Sequence, residues 1–148
     1  MSAAGGRLLG IDFGSKRIGI ATSDYTGVLA SPLTVLDRTG DVARDHRRIA
    51  ELVAEEEAVA VIVGLPLDLQ GKSGIAAQHV LTETEQLATV LDVPVLTYDE
   101  RLSSASANRQ LADLGVSSKK RRSTVDKYAA AVILQGYLDA QRPGGGAL

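Results

Sequence analysis

The segment 8–21, Leu-Leu-Gly-Ile-Asp-Phe-Gly-Ser-Lys-Arg-Ile-Gly-Ile-Ala, constrains the fold more than any other part of the chain. Its two apolar runs are separated by a short Gly-Ser-Lys turn, which predicts two antiparallel strands. Asp12 interrupts the first strand, on the same face as Leu8 and Gly10. A buried carboxylate is costly unless hydrogen bonds, a base or a metal ion compensate it. Asp12 is therefore either a turn residue at a strand end or a functional acid with partners elsewhere in the chain.

Length and composition narrow the possible classes. The 148 residues predict one domain, 1–148, with flexible Gly-rich tails at about 1–6 and 142–148. The absence of cysteine excludes disulfides and thiolate metal sites. The sequence contains neither a secretory signal pattern nor a membrane-spanning run, so we expect a cytoplasmic protein without a membrane partner.

The charge balance restricts how the chain could bind nucleic acid. The net charge is −2, and the aromatic residues are one Phe and four Tyr. A global positive field and a base-stacking platform are therefore not expected. Nucleic acid would have to bind at a local basic patch.

The hydrophobic pattern predicts a third strand over about 28–36, which Pro32 marks as an edge strand or the site of a bulge. The pattern then changes period, and Asp41 is the predicted cap of the first helix. The later predicted elements are a buried strand 58–63, a helix 76–91, a strand 94–98, a helix from Ser103 or Ser104 to Leu114, and a helix 123–141. This order predicts an α/β fold with a mixed five-stranded sheet, in which a three-stranded antiparallel meander and two parallel strands are flanked by helices.

Acidic residues from distant parts of the chain could meet at one edge of this sheet. Asp12 lies in the first strand, Glu100 follows the fifth, and Asp126 begins the last helix. Neighbouring carboxylates repel one another unless a cation lies between them. Oxygen ligands without His or Cys favour Mg²⁺ or Mn²⁺, and two such ions can act together on a phosphodiester.

Each of these acids also has a purely structural interpretation. Asp126 follows Ser123 at capping-box spacing, although the small residues 129–131 would let that helix approach the sheet. Glu100 could form a surface ion pair with Arg101. The choice between Asp99 and Glu100 as the ligand stays open, with Glu100 favoured because an Asp at a strand end often caps the turn.

Basic residues supply candidate phosphate contacts. The run Lys119, Lys120, Arg121 and Arg122 is interpreted as a loop before the last helix, either merely solvated or in contact with phosphates. Lys16, Arg17 and Arg101 would extend this surface. The loop 71–74 could bind a phosphate through backbone N–H groups or could simply connect a strand to a helix.

Four blocks, at 10–21, 63–66, 99–103 and 125–131, resemble in order the YqgF family, whose members are described as Holliday-junction resolvases and as pre-16S ribosomal RNA nucleases. The resemblance implies an RNase H-like fold and a hydrolase that acts on ester bonds with divalent metal ions. It places the acidic residues of the family on Asp12, Glu100 and Asp126. The pair Lys127-Tyr128 departs from the smaller or apolar residues expected there.

The resulting hypothesis is a metal-dependent endonuclease of structured nucleic acid. It would process the 5′ end of pre-16S rRNA in ribosome biogenesis, resolve Holliday junctions, or do both. In this hypothesis Asp12 bridges two ions, while Glu100 and Asp126 each hold one. The protein would be a monomer or a homodimer, and a two-fold-symmetric junction would favour the dimer.

Two alternatives come from the same sequence. One is a non-catalytic RNA- or ribosome-binding adaptor on the same fold. The other follows from the segment 12–16, which also resembles the first phosphate loop of actin-like sugar kinases and ATPases. Those proteins need a second lobe, for which we expect no room in this chain.

Overall fold

The computed structural model describes residues 6–68, 70–72, 74–103 and 119–142, with the backbone alone over 119–127. The helix predicted from Ser103 or Ser104 to Leu114 lies outside the described residues beyond position 103. The predicted tails also lie outside them, apart from Gly6 and Arg142.

Five strands form one mixed sheet, and the sequence-based prediction of this architecture is confirmed. They are β1 (Arg7–Phe13), β2 (Arg17–Ser23), β3 (Ala30–Asp37), β4 (Ala58–Leu65) and β5 (Val95–Asp99). Their order across the sheet is β3-β2-β1-β4-β5. The first three strands pair antiparallel, whereas β4 is parallel to both β1 and β5.

Pro32 lies on β3, which is an edge strand of the sheet. An edge strand pairs with a neighbour on one side only, so it tolerates a residue that has no N–H group. The register shifts at this point, since Ile20 pairs with Thr34 but Ala21 pairs with Pro32. Both features predicted from Pro32 are therefore present.

The helices are α1 (Val42–Glu55), α2 (Ile75–Ala88) and α3 (Lys119–Gln141), with a 3₁₀ turn at Glu100–Leu102. Asp41 caps α1 as predicted, because its side chain accepts a hydrogen bond from the Arg44 N–H at 3.2 Å. The prediction that the basic run 119–122 is a loop was wrong, because α3 begins at Lys119. Lysine and arginine are good helix formers, and no glycine or proline separates them from the following helix.

Helices cover both faces of the sheet. One core lies between the sheet and the helices α1 and α2, and it includes Leu9, Ile11, Phe13, Ile49, Val63 and Leu87. The other lies under α3 and includes Ala21, Ile62, Ala130, Leu134 and Leu138.

Gly10 lets α3 lie directly on β1. A Cβ atom at this position would be 2.8 Å from Leu134 Cβ and 2.9 Å from the carbonyl oxygen of Ala130. The small residues 129–131 are buried, as the expected close approach of helix and sheet requires.

Candidate active site at the carboxyl edge of the sheet

The parallel strands bring Asp12 and Glu100 to the same edge of the sheet. Ile11, Val63 and Thr97 pair across β1, β4 and β5 and form one row. Asp12 comes one residue after this row, and Glu100 comes three residues after it. Both acids thus lie at the carboxyl ends of parallel strands, where the crevices of open α/β sheets form.

Asp12 and Glu100 are both buried, with 7% and 3% of their surface exposed. Asp12 shares the α3 face of the sheet with Gly10, because residues two apart in a strand point the same way. Glu100 is the first residue of the 3₁₀ turn that ends β5. Each of the two residues interacts with other groups of the protein. Asp12 and Glu100 are therefore two buried acids at one edge of the sheet.

Asp99 has a different role from Glu100. Its carboxylate caps the 3₁₀ turn by accepting from the Arg101 N–H at 3.0 Å. It also accepts from Arg101 Nε at 3.0 Å and from Arg101 Nη2 at 2.6 Å. The hydrogen bonds from the Arg101 side chain hold the pKa of Asp99 below its usual value. The Asp99 carboxylate therefore pairs with Arg101 of the same turn, whereas Glu100 is buried.

The backbone of Asp126 lies in the first two turns of α3, and its side chain is outside the described set. The direction of α3 can be read from its contacts. Ala130 lies over Gly10. The Gln135 amide oxygen accepts at 2.9 Å from the N–H of Ala30, which pairs with Ser23 at the end of the sheet where β1 begins. The helix thus runs antiparallel to β1, and a residue one turn before Ala130 lies toward the Asp12 end of that strand.

The donor set at this edge suits a hard divalent cation. Asp12 and Glu100 offer only carboxylate oxygens, which are ligands for Mg²⁺ or Mn²⁺. No group of three possible metal-binding side chains occurs among the residues whose side chains are described. The residues with described side chains include Asp12 and Glu100 but not Asp126.

The predicted basic residues differ in their surroundings. Lys16 is exposed and Arg17 partly buried, on either side of the start of β2. Arg101 is held by Asp99, which with the nearby charge of Asp68 raises its pKa. The residues 119–122 begin α3, and their side chains are outside the described set.

Three N–H groups of the loop after β4 are engaged within the loop itself. The N–H groups of Gln70 and Lys72 donate to the Asp68 carboxylate at 2.9 and 2.8 Å. The Gly71 N–H donates to the Asp68 carbonyl oxygen at 2.9 Å. These contacts favour the structural interpretation of the loop over the phosphate-binding one.

The sequence did not predict one ion-pair network that lies beside the site. Arg38, which directly follows β3, forms a two-pronged ion pair with Glu83 of α2. Glu83 also contacts Nε2 of the buried His46 of α1 at 2.9 Å. These three residues are far apart in sequence and belong to no motif, so only the packing of both helices onto the sheet brings them together.

A surface cavity of about 670 Å³ lies on the α1 and α2 side of the same edge. Phe13, Gly14, Arg38, Pro66 and Glu83 are among its lining residues. In the part of the chain that the structure describes, no helix has the length and apolar character needed to cross a bilayer.

A family model and two named relatives each match most of the chain. The family model described as "RuvX: Holliday junction resolvase" matches residues 6–140. A protein of Mycobacterium sp. (strain KMS) named "Putative pre-16S rRNA nuclease" is 47% identical over 138 residues, which are 93% of this chain and 82% of that protein. A protein of the same name from Roseiflexus sp. (strain RS-1) is 39% identical over 142 residues, covering 96% of this chain and all of the other.

Solved structures share the fold at low sequence identity. Thermus thermophilus RuvC in complex with a Holliday junction substrate aligns with a TM-score of 0.54 and 19% identity, over 92% of this chain and 95% of that one. The yeast mitochondrial Holliday junction resolvase Ydc2 aligns with a TM-score of 0.51 and 13% identity, over 90% of this chain and 78% of that one. The fold is therefore that of the RNase H-like resolvases, and the chain belongs to the RuvX family, described as Holliday junction resolvase.

Proposed function

We propose that this protein is a divalent-metal-dependent endonuclease of structured nucleic acid, with Asp12, Glu100 and Asp126 as its metal-binding acids. The observation that carries the proposal is the pair of buried carboxylates, Asp12 and Glu100, at one edge of the sheet. The direction of α3 supports Asp126 as the third acid. The expected substrates are the 5′ region of pre-16S rRNA and four-way DNA junctions, as the names of the relatives suggest.

The protein side of the mechanism follows from these positions. Asp12, Glu100 and Asp126 would hold the ion or ions from three separate elements, so that folding itself assembles the ligand set. A bound Mg²⁺ or Mn²⁺ supplies Lewis acidity that activates water and stabilises the leaving oxygen. Lys16, Arg17, Arg101 and the basic first turn of α3 would orient the phosphates without taking part in the chemistry.

The test compares wild type with Asp12→Asn, Glu100→Gln and Asp126→Asn. Each protein is incubated with a 5′-extended 16S rRNA precursor fragment or a four-way DNA junction, in Mg²⁺, Mn²⁺ or EDTA. We expect each substitution to lower the cleavage rate by more than about 100-fold, because even outer-shell changes cost 10–100-fold at metal sites. Calorimetric titration with Mn²⁺ should show weakened binding, and circular dichroism should show an unchanged fold.

Asp37→Asn is the matched control, since Asp37 is an exposed acid at the end of the edge strand β3. It should cleave like wild type. Cleavage that survives Asp12→Asn would contradict the proposed site. Nucleic-acid binding by wild type without any metal-dependent cleavage would instead indicate the adaptor function.

A further inference from the structure

The turn between β1 and β2 begins two residues after Asp12, and Arg38 contacts it through both its backbone and its side chain. The Arg38 backbone N–H donates to the carbonyl oxygen of Lys16 at 2.9 Å. The Arg38 side chain donates through Nε to the carbonyl oxygen of Gly14 at 2.7 Å. One residue at the end of the edge strand thus fixes both ends of the Gly14–Lys16 turn.

The turn itself offers little other restraint. Its own closing hydrogen bond runs from the Gly14 N–H to the carbonyl oxygen of Arg17 at 2.9 Å. A Cβ atom at Gly14 would be 2.6 Å from that same oxygen, so the tight closure depends on glycine. Ser15 and Lys16 are exposed. Without the Arg38 side chain, the turn would lose its hydrogen bond at Gly14 and would keep only its closing bond and the Arg38 N–H bond to Lys16.

The Arg38 guanidinium is itself held rigidly. Its Nη1 and Nη2 donate to the two carboxylate oxygens of Glu83 at 2.9 and 2.8 Å, and His46 Nε2 contacts the same carboxylate. The guanidinium carbon also lies 5.7 Å from the centre of the Phe13 ring. A planar guanidinium group that is hydrogen-bonded on both sides has little freedom to move, so it can fix the position of the groups that it contacts.

These contacts link three elements to the turn between β1 and β2. Glu83 belongs to α2, His46 to α1, Arg38 follows β3, and the accepting carbonyl groups lie between Asp12 and β2. If the network served only to bind the helices to the sheet, Arg38 would not need to reach the turn. Its hydrogen bonds to the turn carbonyls place its effect two residues from Asp12.

We propose that Arg38, held by Glu83 and His46, is a positioning residue that fixes the Gly14–Lys16 turn and so orients the Asp12 carboxylate for metal binding and cleavage. This role rests on the proposed function of Asp12. The residue acts through the main chain and touches neither metal nor substrate. Small displacements of catalytic groups cost large factors in rate, so a positioning contact of this kind affects kcat more than KM.

The experiment uses Arg38→Met in the 148-residue chain, with Arg48→Met as the matched control. Arg48 is also an arginine with acidic partners, Glu51 and Glu55, but it lies on the exposed face of α1. Three measurements are made: steady-state kinetics of metal-dependent cleavage (kcat and KM), Mn²⁺ affinity by calorimetry, and amide hydrogen exchange by mass spectrometry over the segment 12–18. Arg38→Lys is the second variant, because it keeps the charge but lacks the fork that spans Gly14 and Glu83. Both variants keep the backbone N–H that donates to Lys16.

For Arg38→Met we expect kcat to fall about 10–100-fold with KM changed less than about threefold. Mn²⁺ affinity should fall about tenfold, as for outer-shell residues of metal sites. Exchange should increase over the segment 12–18 but not in β4. Arg38→Lys should lie between Arg38→Met and wild type, and Arg48→Met should match wild type in all three measurements.

The possible failures can be told apart. If Arg38→Met and Arg38→Lys lower thermal stability but keep the wild-type kcat, Mn²⁺ affinity and exchange over 12–18, the positioning role is refuted and the network is only structural. If Asp12→Asn cleaves like wild type, or wild type shows no metal-dependent cleavage, the proposed function is refuted, and the role of Arg38 with it.

Discussion

At the residue scale, Asp12 and Gly10 show how one face of one strand serves both packing and chemistry. Gly10 has no side chain, which lets α3 rest on β1. Asp12, two residues later on the same face, is buried at the carboxyl edge. A carboxylate at this depth needs compensation, and the edge of the sheet is where groups from several elements can supply it.

Gly10→Ala should destabilise the protein. Alanine gains about 0.4–1 kcal/mol by restricting the unfolded chain, but its Cβ would meet the backbone oxygen of Ala130 and Leu134 Cβ. Overpacking of this kind costs about 1–3 kcal/mol, so we expect a net loss in the free energy of unfolding, measured with urea.

The control for this change is Gly74→Ala, because nothing lies within 4 Å of a Cβ atom at Gly74. Its free energy of unfolding should change by less than about 1 kcal/mol, since the gain from alanine and the weaker helix cap oppose each other. A Gly10→Ala variant as stable as wild type would contradict the direct contact of α3 with β1.

At the scale of the element, α3 begins earlier than the predicted helix 123–141. The basic residues 119–122 therefore belong to its first turns and not to a preceding loop. Cations at a helix N-terminus oppose the helix dipole, which costs free energy when the helix stands alone. An anionic partner would remove that cost. This placement is consistent with a surface that meets phosphates, and it puts the basic turn on the same helix as Asp126.

Replacing Lys120, Arg121 and Arg122 by glutamine should weaken nucleic-acid binding. Each lost phosphate contact lowers the slope of log affinity against log salt by about 0.9 on duplex DNA, so we expect a reduction of up to about 2.7. Binding of the four-way junction by fluorescence anisotropy at several salt concentrations measures the slope.

The matched control replaces three arginines of α1, Arg44, Arg47 and Arg48, by glutamine. It removes the same charge from exposed positions of a different helix. Its slope should stay close to that of wild type. Equal slopes for all three proteins would mean that the first turn of α3 is merely solvated.

At the scale of the whole molecule, the network of Arg38, Glu83 and His46 joins the two helices of one face to the edge of the sheet. Burial by itself raises the pKa of Glu83, but the hydrogen bonds from Arg38 and His46 outweigh this effect and hold its pKa below the usual 4.5. The ionised form of Glu83 is therefore favoured in the folded state.

The lowered pKa of Glu83 makes the stability of the folded protein depend on pH. Because the folded pKa is lowered, Glu83 contributes stability above about pH 4.5, and this contribution is lost as the pH falls through the folded pKa. Glu83→Gln should thus be less stable than wild type near pH 6, and the difference should shrink toward pH 3. Thermal denaturation across this range measures the difference.

Glu85→Gln provides the control, since Glu85 is an exposed acid of the same helix. Its stability should follow that of wild type at each pH. A gap between wild type and Glu83→Gln that stays constant from pH 6 to pH 3 would contradict a lowered pKa for Glu83.

Local patterns in the sequence determined the elements and the sheet. Alternation placed Asp12 and Gly10 on one face, Pro32 indicated an edge strand, and Asp41 indicated a helix start, since each of these signals depends only on residues close in the chain. The resemblance carried by four short blocks indicated the family. The start of α3 was misjudged because a basic run is equally compatible with a solvated loop.

Only the tertiary structure decided which distant side chains meet. Glu100 is buried while the adjacent Asp99 is only partly buried, and this difference is visible only in the folded chain. The contacts of Arg38 with Gly14, Glu83 and His46 depend on how both helices pack on the sheet. Long-range contacts of isolated charged residues leave no periodic trace in a sequence, because nothing about their spacing along the chain records their distance in space.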